Sequence, residues 1–130
     1  MFQVHAPHDM NDVFARAFNT RKIENLLALY EKDAMLLVDN SRDARVGHDA
    51  IGRELAKLMQ APGVMVSKNN FCVVHGDLAL LRADFALRDG DTLIASGSTA
   101  ELVRKQLDGS WLYVIDHAAG ASLPPVATVL

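Results

Sequence analysis

The second half of this chain is a ladder of predicted strands separated by turns. Its apolar segments run over residues 71–87, 93–107 and 111–119. The turns are His75-Gly76-Asp77, Arg88-Asp89-Gly90-Asp91 and Asp108-Gly109-Ser110. Glycine beside aspartate between alternating apolar residues is typical of antiparallel hairpins. The pattern therefore predicts a continuous antiparallel sheet from about residue 64 to residue 119.

The first half is predicted to be mainly helical. Apolar residues recur at helical spacing in three stretches: Val13, Phe14, Ala17 and Phe18; Ile23, Leu26, Leu27 and Tyr30; Ile51, Leu55, Leu58 and Met59. Asn19-Thr20 separates the first two helices and Pro62-Gly63 ends the third. A short apolar run, Met35 to Val38, predicts one strand between the second and third helices.

The composition of the chain argues against several classes of function. The chain has 130 residues, enough for one domain over residues 1–130, and a net charge of −3 with no basic stripe, which argues against nucleic-acid binding. Cys72 is the single cysteine and the five histidines are not paired at ligand spacing, so we expect no metal site and no cofactor. No apolar run reaches the roughly 18 residues of a membrane span. We expect a cytoplasmic protein that has no membrane contact, with an extended tail over residues 120–130.

The order of the predicted elements, helices first and then a curved sheet, predicts an α+β cone. In this fold three N-terminal helices pack on a strongly curved antiparallel sheet. Such a cone encloses a concave, mostly apolar cavity suited to a small molecule. Helix aromatics and the first strand should line it. The predicted wall residues are Phe14, Phe18, Tyr30 and Met35.

Several motifs together resemble the NTF2-like superfamily, close to its SnoaL-like and DUF4440 branch. They are Leu29-Tyr30-Glu31-Lys32-Asp33-Ala34, Gly47-His48-Asp49-Ala50-Ile51, Gly76-Asp77-Leu78-Ala79-Leu80, Asp108-Gly109-Ser110-Trp111 and Val114-Ile115-Asp116-His117. The resemblance covers roughly residues 8–119 and implies the cone fold. It does not choose a function, because the superfamily includes isomerases, cyclases, dehydratases, epoxide hydrolases and non-enzymatic association modules.

One branch can be compared residue by residue. Ketosteroid isomerases use a tyrosine of the first helix as oxyanion donor and a carboxylate of the first strand as base. An ungapped alignment puts Phe14 at the tyrosine position and Val38 at the base position. The resemblance thus implies that the chain is not a classical ketosteroid isomerase, unless a register shift brings Asp39 to the base position. Val38 remains a candidate pocket residue.

Asp116 is the first candidate for chemistry. Strict alternation places it on one face of the last strand with Leu112, Val114 and Ala118. The resemblance implies that this face lines the cavity, where loss of water would raise the carboxyl pKa and permit general-base catalysis near neutral pH. The other interpretation is a carboxylate hydrogen-bonded or solvated at the mouth of the cone.

Arg82 and Asp84 share one face of their predicted strand, and the opposite face is apolar. If the polar face lines the cavity, Arg82 would bind an anion or oxyanion and Asp84 would orient the ligand. If the apolar face lines the cavity, both residues lie on the outer surface or in a subunit interface. Glu101 is a further ligand-binding candidate, but its strand is polar on both faces and its orientation stays open.

Two functions from different classes fit these residues. The first is a pocket protein for an apolar or mildly acidic metabolite, with cofactor-independent acid–base catalysis of an isomerase, cyclase, dehydratase or hydrolase type, in which Asp116 is the base and Arg82 its partner. The second is a non-catalytic dimeric binding or association module. An apolar face of the last strand, formed by Trp111, Tyr113 and Ile115, predicts a homodimer through the sheet.

Overall fold

Three helices lie against one face of a curved seven-stranded sheet in the computed structural model, which describes residues 2–123. The predicted tail therefore lies outside the described residues from position 124 onward. After a 3₁₀ turn at Pro7–Asp9, the helices are α1 (Met10–Asn19), α2 (Ile23–Leu27) and α3 (Gly47–Leu58). The strands are β1 (Tyr30–Leu37), β2 (Arg45–Val46), β3 (Val64–His75), β4 (Leu78–Asp89), β5 (Thr92–Ser98), β6 (Ala100–Lys105) and β7 (Trp111–His117).

The sheet has the order β2-β1-β7-β6-β4-β3, and β5 also pairs with β4. The pair of β1 and β7 is parallel, whereas the other pairs are antiparallel. This arrangement confirms the predicted α+β cone with helices on a curved, largely antiparallel sheet. The three predicted turns lie between strands, and Gly76, Gly90 and Gly109 have the positive φ angles that such turns need.

The long strand β4 carries two different neighbours on one edge. Its first part, residues 78–81, pairs with β6, and its second part, residues 84–89, pairs with β5. Thr99 separates β5 from β6, and its N–H donates to the Ala83 carbonyl oxygen at 2.8 Å. The single predicted segment 93–107 is therefore two strands, because the sheet bends where β4 passes from one partner to the other.

Tyr30 begins β1 instead of ending the second helix. The helix α2 stops at Leu27, and Tyr30 is paired with Tyr113 of β7. The apolar spacing of the sequence fits a longer helix, but pairing with a distant strand decides the conformation. The corrected position turns the Tyr30 side chain into the core, where it is 2% exposed.

Cross-strand pairing aligns side chains into rows. An outer apolar row crosses six strands on the face away from the helices and consists of Val73, Leu80, Leu102, Ile115, Met35 and Val46. Leu80 and Val73 are about half exposed, at 50% and 52%.

The predicted dimer face of β7 needs a correction. Trp111 and Tyr113 are 5% and 1% exposed and belong to the chain's own core, whereas Ile115 is 38% exposed on the outer face. The register of β6 and β7 shifts between Leu102 and Val103, because Leu102 faces Ile115 and Val103 faces Tyr113. Val114 is therefore an extra residue, a β-bulge that breaks the alternation assumed for this strand.

Candidate functional site

A cavity of about 480 Å³ lies between the helices and the concave face of the sheet. Its apolar walls come from α1, α3, the end of β1 and strands β3 to β5. The apolar side chains that line it include Phe14, Leu36, Val38, Leu55, Leu58, Met65 and Phe85. Lys57 is the only cation among the described lining residues, and its Nζ pairs with Glu54 Oε2 at 3.2 Å. The cavity suits a largely apolar molecule with a few polar atoms.

Two carboxyl groups stand side by side in the wall of this cavity. Glu101 of β6 and Asp116 of β7 are directly paired across the strands, and both line the cavity. They are only 3% and 6% exposed. Leu81 and Leu36 flank the pair in the same cross-strand row. Two acids thus share a largely dehydrated position among apolar neighbours.

The bulge at Val114 determines what Asp116 faces. In a regular strand Asp116 and Tyr113 would point to opposite faces. The extra residue brings both onto the inner face, so Asp116 lies in the same wall as Tyr113. The bulge also places Ile115 on the outer face.

Two hydrogen-bonded side chains hold the carboxyl pair from either end. The Tyr30 hydroxyl donates to Asp116 Oδ2 at 2.5 Å. On the other side, the Tyr113 hydroxyl donates to Asn11 Oδ1, and Asn11 Nδ2 donates to Glu101 Oε1 at 3.2 Å. All five side chains are buried. The acids are thus fixed by partners from α1, β1 and β7.

Burial raises the pKa of both acids, and the charge of Asp116 raises that of Glu101 further. Loss of water raises the pKa of Asp116 to about 6, partly offset by the Tyr30 hydrogen bond. Loss of water and the negative charge of Asp116 raise the pKa of Glu101 to about 8, against hydrogen bonds from Thr99 and Asn11 that lower it. Near pH 7 the two carboxyl groups therefore share one proton. Burial also raises the pKa of Tyr30 and of Tyr113, so both phenols stay protonated.

The structure brings some of the predicted site residues together. Asp116, Glu101, Phe14 and Val38 line the cavity, and Tyr30 reaches it through its bond to Asp116. Phe14 and Val38 offer no donor or proton acceptor there, as the comparison with ketosteroid isomerases implied.

Three other predicted pocket residues lie elsewhere. Phe18 is fully buried in the core below the cavity, where the Arg21 guanidinium stacks on its ring at 4.4 Å. Met35 is on the outer face of β1, because Ala34 and Leu36 take the inner face. Val114 is the bulge residue. None of the three is a lining residue of the cavity.

Arg82 and Asp84 lie on the outer face of β4, opposite the carboxyl pair. Both are exposed, whereas Leu81 and Ala83 are buried on the inner face. Asp84 accepts hydrogen bonds from Asn70 and Ser98 at the surface. The alternative with an apolar cavity wall therefore holds, and the expected partnership of Arg82 with Asp116 is not formed, because strand alternation separates them.

Sequence reasoning missed Asn11 and Tyr113 as site residues. Asn11 lies three residues before Phe14 and seven before Phe18, so it is the one polar residue in the apolar stripe of α1. That interruption was a readable signal. Tyr113 had none, because its inward direction depends on the bulge.

No group of three or more His, Cys, Asp or Glu side chains within residues 2–123 could hold a metal ion. The described helices also include none that is long and apolar enough to cross a membrane.

The sequence of the chain matches one known protein family. The family model of the SnoaL-like domain matches residues 11–116 of the 130. The chain belongs to the SnoaL-like family. The expected resemblance to the NTF2-like superfamily is thereby confirmed. A comparison with curated proteins found no match.

Solved structures share the SnoaL-like fold at low identity. One is a putative calcium/calmodulin-dependent protein kinase type II association domain from Thiobacillus denitrificans, with a TM-score of 0.74 and 20% identity, covering 92% of this chain and 97% of that one. Another is an NTF2-like protein of unknown function from Shewanella oneidensis, with a TM-score of 0.69 and 17% identity over 84% and 92% of the two chains. A ketosteroid isomerase-like protein from Erwinia carotovora atroseptica has a TM-score of 0.60 and 20% identity over 86% and 95%. These similarities support the fold alone.

Proposed function

We propose that this SnoaL-like protein binds a small, mainly apolar metabolite in its cavity and catalyses proton transfer on it without a cofactor. The supporting observation is the buried pair of Glu101 and Asp116 in the cavity wall. Neighbouring acids whose environments separate their pKa values are suited to opposite roles, one as acid and one as base. Asp116 is the base in this proposal, and Glu101 takes the partner role that the sequence had suggested for Arg82.

The chemistry fits a carbonyl compound with an adjacent acidic C–H bond. The Asp116 carboxylate takes the C–H proton, while the neutral Glu101 carboxyl gives its proton to the carbonyl oxygen. The substrate becomes an enol, Asp116 becomes neutral and Glu101 becomes a carboxylate, so the charge of the site stays at −1. Reversal at another carbon would complete an isomerisation. General acid–base catalysis of this kind contributes typically 10²–10⁴-fold to a rate.

A mildly acidic metabolite would bind in one orientation. The carboxyl pair repels an anion at the inner wall, whereas Lys57 is 74% exposed beside the cavity. An acidic group would therefore lie near Lys57, with the neutral polar group near Glu101. This orientation is part of the proposal.

The binding part is tested by a thermal-shift screen of apolar ketones and carboxylated metabolites. At about 100 times the dissociation constant a ligand adds about 2.7 kcal/mol of stability. Two matched variants localise any hit: Val38→Phe fills the cavity, and Val66→Phe makes the same change on the outer face, where Val66 is exposed. We expect Val38→Phe to abolish the shift and Val66→Phe to retain it. Equal shifts in both variants would place the ligand outside the cavity.

The catalytic part is tested by exchange of substrate protons. Hits are incubated with the protein in D₂O, and loss of the α-proton signal is followed by NMR. Asp116→Asn should stop the exchange while keeping the fold, and Arg82→Gln should not affect it. Exchange that survives Asp116→Asn would reject Asp116 as the base, and binding without exchange would leave a binding protein.

A second candidate function is a homodimeric association module. It is favoured by the outer apolar row, which crosses six strands and leaves Leu80 and Val73 half exposed. Exposed apolar surface of this continuity is typical of interfaces, and a second copy offers the same row about a two-fold axis. The description of the Thiobacillus denitrificans structure as an association domain adds support to this proposal.

Sedimentation at micromolar concentration tests the dimer. Leu80→Glu should convert the dimer to a monomer. Leu107→Glu is a matched control, because Leu107 is fully exposed in the turn before β7. A monomeric wild-type protein would contradict the proposed dimer.

A further inference from the structure

In the structure the Asn11 amide turns its oxygen toward Tyr113 and its nitrogen toward Glu101. The Tyr113 hydroxyl donates to Asn11 Oδ1. The amide nitrogen is therefore turned toward Glu101 and donates to Oε1 at 3.2 Å. An N–H cannot accept a proton from a carboxyl group, so Glu101 Oε1 acts as an acceptor.

This direction decides where the proton of Glu101 resides. Because Oε1 is occupied as an acceptor, the proton of the neutral carboxyl belongs to Oε2. Glu101 lines the cavity, and the ionisable groups near it are Asp116 and Tyr113, with Tyr30 behind Asp116. Its cross-strand neighbour on β4 is the apolar Leu81. Asn11 and Thr99 both donate hydrogen bonds to Glu101. The O–H group is therefore the one donor that Glu101 itself can offer to a ligand.

We infer that Asn11, held by the Tyr113 hydroxyl, is a positioning residue that makes Glu101 the hydrogen-bond donor of the cavity, and that Glu101 meets an uncharged oxygen acceptor on the ligand. The inference rests on the proposed cavity function and adds the positioning role of Asn11 and the requirement that the acceptor be uncharged. The acceptor is uncharged because the Asp116 carboxylate lies beside Glu101, while the cationic Lys57 is paired with Glu54. A ketone, ester or lactone carbonyl has this chemistry.

The opposite amide direction gives the opposite behaviour. If Asn11 presented its oxygen to Glu101, the neutral carboxyl would donate to Asn11 and be stabilised by it. The observed direction stabilises the Glu101 carboxylate instead, and thus lowers its pKa. Removal of the Asn11 amide therefore changes the Glu101 pKa in a direction that reports the amide orientation, which a merely structural role would not predict.

The first experiment is an NMR titration of side-chain ¹³C-labelled Glu101 in the intact protein. We expect Asn11→Leu to raise the Glu101 pKa above its wild-type value. Asn25→Leu is the matched control, because Asn25 lies in α2 and its side-chain amide donates to the Thr20 hydroxyl at 3.0 Å, away from Glu101. A lower or unchanged Glu101 pKa in Asn11→Leu would overturn the inference. Should Asn11→Leu fail to fold, Tyr113→Phe releases the amide, and the same rise is expected and the same outcomes overturn it.

The second experiment compares two probes of the same shape at pH 7. They are 2-acetylnaphthalene, a neutral carbonyl, and 2-naphthoate, an anion. We expect the ketone to bind at least about tenfold more tightly, equivalent to about 1.4 kcal/mol, and to lose that preference in Glu101→Leu, which removes the donor. Both probes are also measured with Lys57→Gln, and equal or tighter binding of naphthoate to that variant would overturn the assigned ligand class. If neither probe binds, the proposed small-molecule function loses support, whereas the titration still decides the role of Asn11.

Discussion

Tyr30 of β1 and Asp116 of β7 form a buried side-chain hydrogen bond between two neighbouring strands of the sheet. Their side chains are 86 residues apart in sequence, and the hydroxyl–carboxylate distance is 2.5 Å. The bond stabilises the charged form of an acid that burial would otherwise neutralise. It thus connects the packing of β1 on β7 with the proton affinity of the proposed base.

Tyr30→Phe should therefore destabilise the protein in a pH-dependent way. Without the hydroxyl the Asp116 pKa rises, so the loss is largest where wild-type Asp116 is ionised. We expect a loss of about 1–3 kcal/mol at pH 8 and a smaller loss at pH 5. Urea denaturation at both pH values measures it. In an Asp116→Asn background the pH dependence of the Tyr30→Phe effect should vanish, and its persistence would assign the effect to packing alone.

The carboxyl pair should make the protein less stable as pH rises. Both acids have folded-state pKa values, about 6 for Asp116 and about 8 for Glu101, above those of unfolded chains. The folded state then binds more protons than the unfolded state between these limits. The stabilising contribution is full below about pH 4 and is lost as pH rises through 6 and 8.

Glu101→Gln tests this linkage. Glutamine keeps an oxygen for the Asn11 donor but cannot ionise. We expect the variant to match wild type near pH 5 and to exceed it by about 2–4 kcal/mol at pH 9, measured by urea denaturation. Glu31→Gln is the control, because the Glu31 carboxylate lies outside the buried pair. It accepts hydrogen bonds from Arg104 of β6 and from Gln106, which follows that strand. Parallel pH profiles of wild type and Glu101→Gln would contradict a raised Glu101 pKa.

The sequence predicted the turns well because turn chemistry is local. Gly76, Gly90 and Gly109 occupy positions with positive φ, where other residues are strained, and each joins the strands expected on either side. The helices were predicted for a similar reason, since their apolar stripes have a clear period. Local signals of this kind were sufficient to predict the α+β cone from the sequence.

The site was harder to predict because distant pairing builds it. Asp116 was expected in the cavity wall by alternation with Val114, yet the Val114 bulge reverses that alternation for Tyr113. Glu101 had no assignable face until its pairing with Asp116 and Leu81 was known. No single-strand pattern contains this information, because bulges arise from the register of two strands.

Gly63 should be irreplaceable for a reason that its neighbours in turns do not share. Its φ is +107°, and a Cβ atom there would lie 2.4 Å from the Arg88 carbonyl oxygen. Gly63→Ala therefore combines backbone strain with a clash against another strand, and we expect a loss of about 3 kcal/mol or more. Gly76→Ala is the matched control: its φ is +59° and nothing lies within 4 Å, so only about 1–2 kcal/mol should be lost. Similar losses in a denaturant titration would contradict the clash.

Replacement of Asn69, in the row next to the carboxyl pair, should stabilise the protein. Within residues 2–123, neither polar atom of its buried side-chain amide has a hydrogen-bond partner. Asn69 is paired with Ala83, whose backbone is bonded to Thr99, so it lies in the row next to the carboxyl pair. A buried amide without partners costs about 1–3 kcal/mol.

Replacing Asn69 by an apolar residue of similar volume should recover part of that cost. We expect Asn69→Leu to raise the free energy of unfolding by about 1 kcal/mol or more, measured by urea denaturation. Asn70→Leu is the matched control, because Asn70 is exposed and donates to Asp84 at 2.8 Å, so its replacement should be neutral or slightly destabilising. A clear loss of stability in Asn69→Leu would mean that the amide has a partner in solution.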